Sequence, residues 1–309
     1  MPIKHLVIAG GGPIGFQFLG ALEHLNEQGF WKLEDIESIY ATSIGTFLAA
    51  FICLKYDWET LNTYVIDRPW HDAFKLNGKQ IFDAFYNKGL YDKKIIEITF
   101  KPLLEAKDLS LNITLKEFYE YSKIELHLYA FELNKFETVD ISYKTHPDLL
   151  LVQAIFMSSA LPGVFAPVCI NNCCYIDGGV MANYPLTHCL KDHPNSDEIL
   201  GVTFYRDYDK PDAYKNNIVT EESSVIDFSI GFFINAMNYI YKNLKIVTIK
   251  NQVECLNEDN FLTMDVIQKS LNSVDMRRDW IIKGINDAKL FLDKIKSEKN
   301  DLKELSDDK

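Results

Sequence analysis

With 309 residues, 47% hydrophobic and 13% aromatic side chains, the chain can bury a full core and is not a disordered polypeptide. A formal net charge of -12, with no clustered run of Lys and Arg, argues against nucleic acid as a main partner and against electrostatic docking on anionic membranes, and leaves hydrophobic docking open. The longest apolar run, residues 44–54, is shorter than the about 20 residues that span a bilayer. No secretory signal precedes the first strand-like residues, so the expectation is a cytoplasmic protein, soluble or peripheral at membranes, with six free cysteine thiols.

In chain order, residues 3–9 read as an apolar strand that runs into Gly10-Gly11-Gly12-Pro13-Ile14-Gly15. Phe16, Leu19, Leu22 and Leu25 then recur at helical spacing up to Gly29, a C-terminal stop. Residues 36–40 give a second strand and residues 44–54 its helix, which makes a strand-helix-strand-helix unit with parallel strands buried on both faces. Helices are expected over 58–65 and 93–104, with a break at Pro69-Trp70-His71 between them. A capping box at Thr114-Leu115-Lys116-Glu117 opens another helix.

Residues 126–133 and 135–142 read as a strand pair turning near Asn134, and 148–158 as a helix. Residues 160–167 read as a rigid apolar loop. A short strand over 173–176 ends in Asp177-Gly178-Gly179, and 199–204 is a further strand. The acidic, Tyr-rich stretch 205–222 is loop-like. Ser223 or Ser224 caps a helix carrying Ile226, Ile230, Phe233, Met237 and Ile240, with Phe228, Phe232 and Tyr239 off the main stripe. That helix is either a lid or interfacial patch or a fully buried core helix. From Met276 the chain is helical and increasingly charged. There is no repeat and no flexible linker, so the organisation is one α/β domain over 1–290 with a charged helical tail over 291–309.

Three features carry chemistry. Ser43 sits in Tyr40-Ala41-Thr42-Ser43-Ile44-Gly45 between a strand and a helix, flanked at minus two and plus two by Ala41 and Gly45. That is the pattern of a nucleophile elbow, where only small neighbours fit between the strand end and the helix start. A serine hydroxyl needs a base to take its proton, and acyl transfer needs donors aimed at the developing oxyanion. Gly10, Gly11 and Gly12 can offer bare backbone N–H groups, and the Ile44 amide a further one. Both turns lie at the carboxyl edge of one sheet, where open α/β folds place ligands. Gly10, Gly12 and Gly15 also have the offsets of a dinucleotide fingerprint, but the second strand ends in Tyr40-Ala41-Thr42-Ser43 instead of the acidic residue that would hold a ribose.

With these residues in view, the sequence resembles the patatin-like phospholipase family. Gly10-Gly11-Gly12 with Gly15 is similar to its oxyanion motif, Ala41-Thr42-Ser43-Ile44-Gly45 to its elbow, and Asp177-Gly178-Gly179 to its catalytic Asp-Gly motif. Ser158-Ser159-Ala160-Leu161-Pro162-Gly163-Val164-Phe165 with Pro167 is similar to the apolar loop before that aspartate. The four occur in family order over residues 3–185. The resemblance implies a three-layer α/β fold with a mainly parallel sheet between helices. It implies a lipid acyl hydrolase of phospholipase A type, with Ser43 as nucleophile, Asp177 as general base with a raised pKa, an acyl-enzyme, and no metal or cofactor. The partner it implies is a lipid or phospholipid acyl ester. Two residues depart from the pattern: Pro13 and Ile14 occupy an interval where the family has Arg or Lys, and Ala41 replaces a glycine.

A conventional triad of Ser43, Asp177 and His188 or His193 is the competing arrangement, although an elbow after a single strand-helix unit is early for that fold. A catalytically silent lipid- or nucleotide-binding relative is the other alternative. Cys169, Cys173 and Cys174 suggest zinc only weakly, because adjacent strand cysteines point to opposite faces.

Overall fold

The first two apolar runs form β1 (His5–Ile8) and β2 (Ser38–Thr42), paired in parallel with His5 opposite Ser38 and Ile8 opposite Ala41. They are followed by α1 (Gly15–Glu27) and α2 (Ile44–Cys53). The structure, a computed structural model, describes residues 1–75, 78–204, 219–243, 247–256 and 263–307. The loop expected over 205–222 therefore lies outside the described residues as far as 218.

The other strands are β3 (Gly89–Tyr91), β4 (Glu125–Glu132), β5 (Glu137–Ile141), β6 (Gly163–Phe165), β7 (Val168–Ile170), β8 (Cys173–Asp177), β9 (Ile199–Phe204) and β10 (Gln252–Cys255). Among the described residues the main sheet has the order β10-β9-β1-β2-β4-β8-β7, with β5 also paired to β4. From β10 to β4 the strands are parallel; β5 and β8 run antiparallel to β4.

Period-two alternation sends the side chains of these strands to two different layers. Leu6, Ile8, Ile39, Ala41, Leu128 and Ala130 enter the large core under α1 and α2. Val7, Tyr40 and Tyr129 face the opposite side, against Ala182, Leu186 and Cys189. That second face is more polar. His5 and Ser38 share a hydrogen bond of 2.8 Å, and the Tyr40 hydroxyl donates to Asp192 at 2.8 Å. Helices cover both faces, the three-layer α/β arrangement expected.

The Thr114 box forms in full. Its hydroxyl accepts from the Glu117 amide, and the Glu117 carboxylate accepts from the Thr114 amide, at the start of the Leu115–Ser122 helix. Ser224 caps the Val225–Asn243 helix, accepting from the Asp227 amide at 3.2 Å. The C-terminal helix Val274–Asp307 runs without a break through residue 290, and Ile295 within it is buried. It lies close along α1: a Cβ on Gly20 would strike the Ile281 backbone, and one on Gly284 the backbone of Gln17. No helix among the described residues is long and apolar enough to cross a membrane.

Two expectations are corrected. The apolar loop at 160–167 contains β6, because β3, more than seventy residues earlier, supplies its backbone partners. The cysteines are not all free. Cys169 and Cys174 face each other in the β7–β8 register and are joined as a disulfide, while Cys173 points away and remains a thiol with Cys53, Cys189 and Cys255.

Candidate active site

Ser43 is the residue between β2 and α2, with φ 53° and ψ -125°. A left-handed φ at a residue with a side chain costs on the order of 1–3 kcal/mol and persists only where the surroundings impose it. Here they do so through a set of short hydrogen bonds. The Ser43 amide donates to the Ser158 hydroxyl at 3.0 Å, and Ser158 in turn donates to the Tyr129 carbonyl on β4. The Ser43 carbonyl accepts from both the amide and the hydroxyl of Thr46, at 2.9 and 2.6 Å. Thr42 donates its hydroxyl to the Ala182 carbonyl at 2.6 Å. The small neighbour at plus two is needed because a Cβ on Gly45 would lie 2.6 Å from the Ile8 carbonyl oxygen.

Asp177 reaches this serine through the register of three strands. β2 pairs with β4 up to Thr42 opposite Tyr129, and β8 pairs with β4 from Asp177 opposite Ala130. Since β5 occupies the other edge of β4 from Leu128 to Glu132, overlapping both stretches, β2 and β8 share one edge and run towards each other, stopping at adjacent positions. Ser43 leaves one strand end as Asp177 closes the other. The Ser43 hydroxyl donates to Asp177 Oδ2 at 2.5 Å, and the Gly179 amide donates to Oδ1 at 2.7 Å. Asp177 is only 4% exposed. Burial pushes its carboxyl up from 3.8 to about 6, against the Ser43 hydroxyl and the Gly179 amide, which lower it.

The glycine turn lies beside the elbow. A Cβ on Gly10 would come within 3.0 Å of the Ser43 Cβ and 2.6 Å of Asn183 Oδ1. Gly10 is not available as an oxyanion donor, because its N–H is already donated to the Asn183 carbonyl at 2.8 Å; its role is close approach. Gly11 and Gly12 have φ of 157° and 57°. No described residue accepts from the N–H of Gly11, Gly12 or Ile44. All three line a cavity of about 210 Å³ that also holds Ser43 and Asp177. Gly15 is held against Ile44, where a Cβ would collide with its side chain, and Gly178 against the Tyr129 carbonyl.

The remainder of that cavity is apolar, built from Phe16, Leu19, Phe47, Phe51 and Leu161 among others. Pro13 is part of the lining, and no Lys or Arg among the described residues joins it. His188 and His193 are not in the lining either. His188 packs on the Tyr129 ring, with a centroid separation of 4.6 Å, and His193 stacks on His5 at 3.6 Å. Three contributors escaped the sequence reading. Ser158 was visible only as part of a motif. Asn183 and Tyr241 carried no signal, yet the Tyr241 hydroxyl accepts from the Asn183 amide at 2.5 Å and donates to the Gly179 carbonyl at 3.2 Å.

Comparison with protein-family models matches residues 6–190 to "Patatin-like phospholipase". The chain belongs to the patatin-like phospholipase family. Like that family, it is a carboxylic ester hydrolase with lipid as its substrate class. Among curated proteins it is 28% identical over 207 residues to a probable lipid hydrolase of Invertebrate iridescent virus 6, covering 65% of this chain and 69% of that one. It is 22% identical over 186 residues to lysophospholipase NTE1 of Candida albicans, covering 60% of this chain but 12% of that protein. Among solved structures, VipD from Legionella pneumophila has a similar fold, with a TM-score of 0.58 at 15% identity, covering 95% of this chain and 67% of VipD. The patatin-like match contains the glycine turn, Ser43 and Asp177. Part of the cavity wall lies beyond it, at Phe204, Phe233, Met237, Ile267 and Leu271.

Proposed function

We propose that this patatin-like protein hydrolyses fatty-acyl esters through a Ser43–Asp177 dyad and an acyl-enzyme. The observation that carries the reading is the 2.5 Å hydrogen bond from the Ser43 hydroxyl to a buried Asp177 at one wall of an apolar cavity. In the proposed reaction Asp177 takes the Ser43 proton as Oγ attacks the acyl carbonyl. The tetrahedral oxyanion is met by the amides of Gly11, Gly12 and Ile44. Collapse transfers the acyl group to Ser43, and Asp177 returns the proton to the departing alcohol. Water, deprotonated by the same carboxylate, then releases the fatty acid. A carboxylate with the usual pKa is a weak base for a hydroxyl, and the dry surroundings that lift Asp177 to about 6 improve the match.

Among the described residues the cavity offers acyl chains an apolar wall and offers phosphate no cation, with Pro13 where the family places Arg or Lys. Kinetics on a phospholipid and on a neutral acyl ester of equal chain length are therefore expected to give kcat/KM within about threefold of each other, since no described lining residue makes a charge-assisted contact that would separate them. The proposal itself is tested with a fluorophosphonate probe. The wild type is expected to be labelled at Ser43 and the Ser43→Ala protein not at all; a folded wild type that resists labelling would falsify the hydrolase reading.

A further inference from the structure

The Val225–Asn243 helix has apolar residues on two opposite faces. Ile230, Phe233, Ile234 and Met237 are buried, and Phe233 and Met237 line the cavity that holds Ser43. On the other face Val225, Phe228, Phe232 and Tyr239 are 65%, 54%, 68% and 72% exposed. At about 100° per residue these four fall within an arc of about 60°, opposite the buried stripe. A large exposed aromatic surface of this kind marks a contact site. It is unusual in being the back of the helix that forms the cavity wall.

Two further features bear on what covers it. The helix carries only two charged residues, Asp227 and Lys242, of opposite sign, on a chain whose net charge is -12. An anionic surface would repel the protein as a whole, while a zwitterionic surface meets a locally neutral aromatic stripe without that penalty. Near its C-terminal end, Tyr241 bridges the Asn183 amide and the Gly179 carbonyl, and the Gly179 amide is the donor to Asp177. The helix is thus fastened directly to the loop that holds the base.

We infer that the Phe228, Phe232 and Tyr239 face of this helix docks the protein on a zwitterionic phospholipid surface, from which the acyl chain enters the cavity on the helix's inner side. The inference rests on the lipid acyl hydrolase reading for its substrate, and its test separates the two.

In a Ser43→Ala background, where no lipid is consumed, the protein is expected to sediment with phosphatidylcholine vesicles. Adding F228S, F232S and Y239S together is expected to lower the partition coefficient by about tenfold or more, as removal of three interfacial aromatic groups requires. L290S, a change at a residue 62% exposed on the Val274–Asp307 helix, is expected to leave it unaltered. With Ser43 intact, the triple change is expected to lower the ratio of the rate on vesicle phospholipid to the rate on a dissolved short-chain ester by about the same factor. The docking face is overturned if the Ser43→Ala protein does not bind vesicles, or if its binding survives the triple change. It is equally overturned if the triple change merely converts a dimer to a monomer with vesicle binding intact, because a second copy then covers the stripe. A wild type inactive on both esters counts against the hydrolase reading alone; vesicle binding still decides the docking face.

Discussion

The glycine turn, the elbow and the Asp177 loop differ from the helical wall opposite them in what fixes their shape. In the first region backbone meets backbone. Gly45 touches the end of β1, Gly178 the Tyr129 carbonyl, and Ser43 is held at a left-handed φ by Ser158 and Thr46. In the second, the limits are set by side chains such as Phe233, Met237, Ile267 and Leu271. Backbone contacts of this closeness admit no added methyl, whereas an apolar wall tolerates changes of volume at modest cost. Ser43 and Asp177 are therefore held by parts that cannot vary, and the apolar cavity is bounded by parts that can.

The largest effect that would sharpen this contrast is expected at Ser43. Ser43→Ala should lower kcat on a fluorogenic acyl ester by about 10⁴-fold or more with unchanged circular dichroism, since the attacking oxygen of the proposed reaction is removed. Asp177→Asn should cost about 10³-fold in kcat, the loss of a general base, and survival of activity would break the dyad. That same variant should gain stability. A carboxyl raised from 3.8 to about 6 binds its proton more tightly in the folded state, so its contribution falls as pH rises through that window and leaves a cost of about 3 kcal/mol once ionised. The Tm advantage of Asp177→Asn should thus be present at pH 7 and vanish near pH 4.

Next in size, Gly10→Ala should lower kcat by about 10²-fold, because its Cβ would press on Ser43 and Asn183 and displace the nucleophile. The pH profile of kcat/KM should fall below about pH 6 by about tenfold per unit as Asp177 becomes protonated, and a profile flat down to pH 5 would remove Asp177 as the base. The smallest change belongs to the wall. Phe233→Ala should reduce kcat/KM about three- to tenfold for long acyl chains and less than about twofold for short ones. An equal loss on both would mean that the wall positions the chemistry as well, and the contrast between the regions would fail.

The two regions also differ in how readable they were. The strand-turn-helix units around Gly10 and Ser43 are local, and apolar periodicity with small residues at fixed offsets made them legible. Asp177 was legible as a motif, but its meeting with Ser43 depends on the β2–β4–β8 register, which no local pattern encodes. β6 was hidden because its partner β3 lies far away in the chain, and the Cys169–Cys174 pair because it needs β7, which was not recognised. Asn183 and Tyr241 stayed invisible because they act through backbone groups, where one polar residue announces itself no more than another. Gly10 reads as a donor because no side chain blocks its N–H, and only the fold brings up the Asn183 carbonyl that takes it.

The head-to-head arrangement of β2 and β8 on one edge of β4 makes that edge a ruler for the spacing of Ser43 and Asp177. A slip of β8 by one residue would carry Asp177 about 3.4 Å along the edge and turn its side chain to the other face of the sheet. The distance between Ser43 and Asp177 is therefore counted in whole rungs. An insertion between Cys174 and Asp177 would shift that count by one rung. The disulfide joining Cys174 to Cys169 stands three residues from Asp177 and pins the strand whose alignment the candidate site depends on.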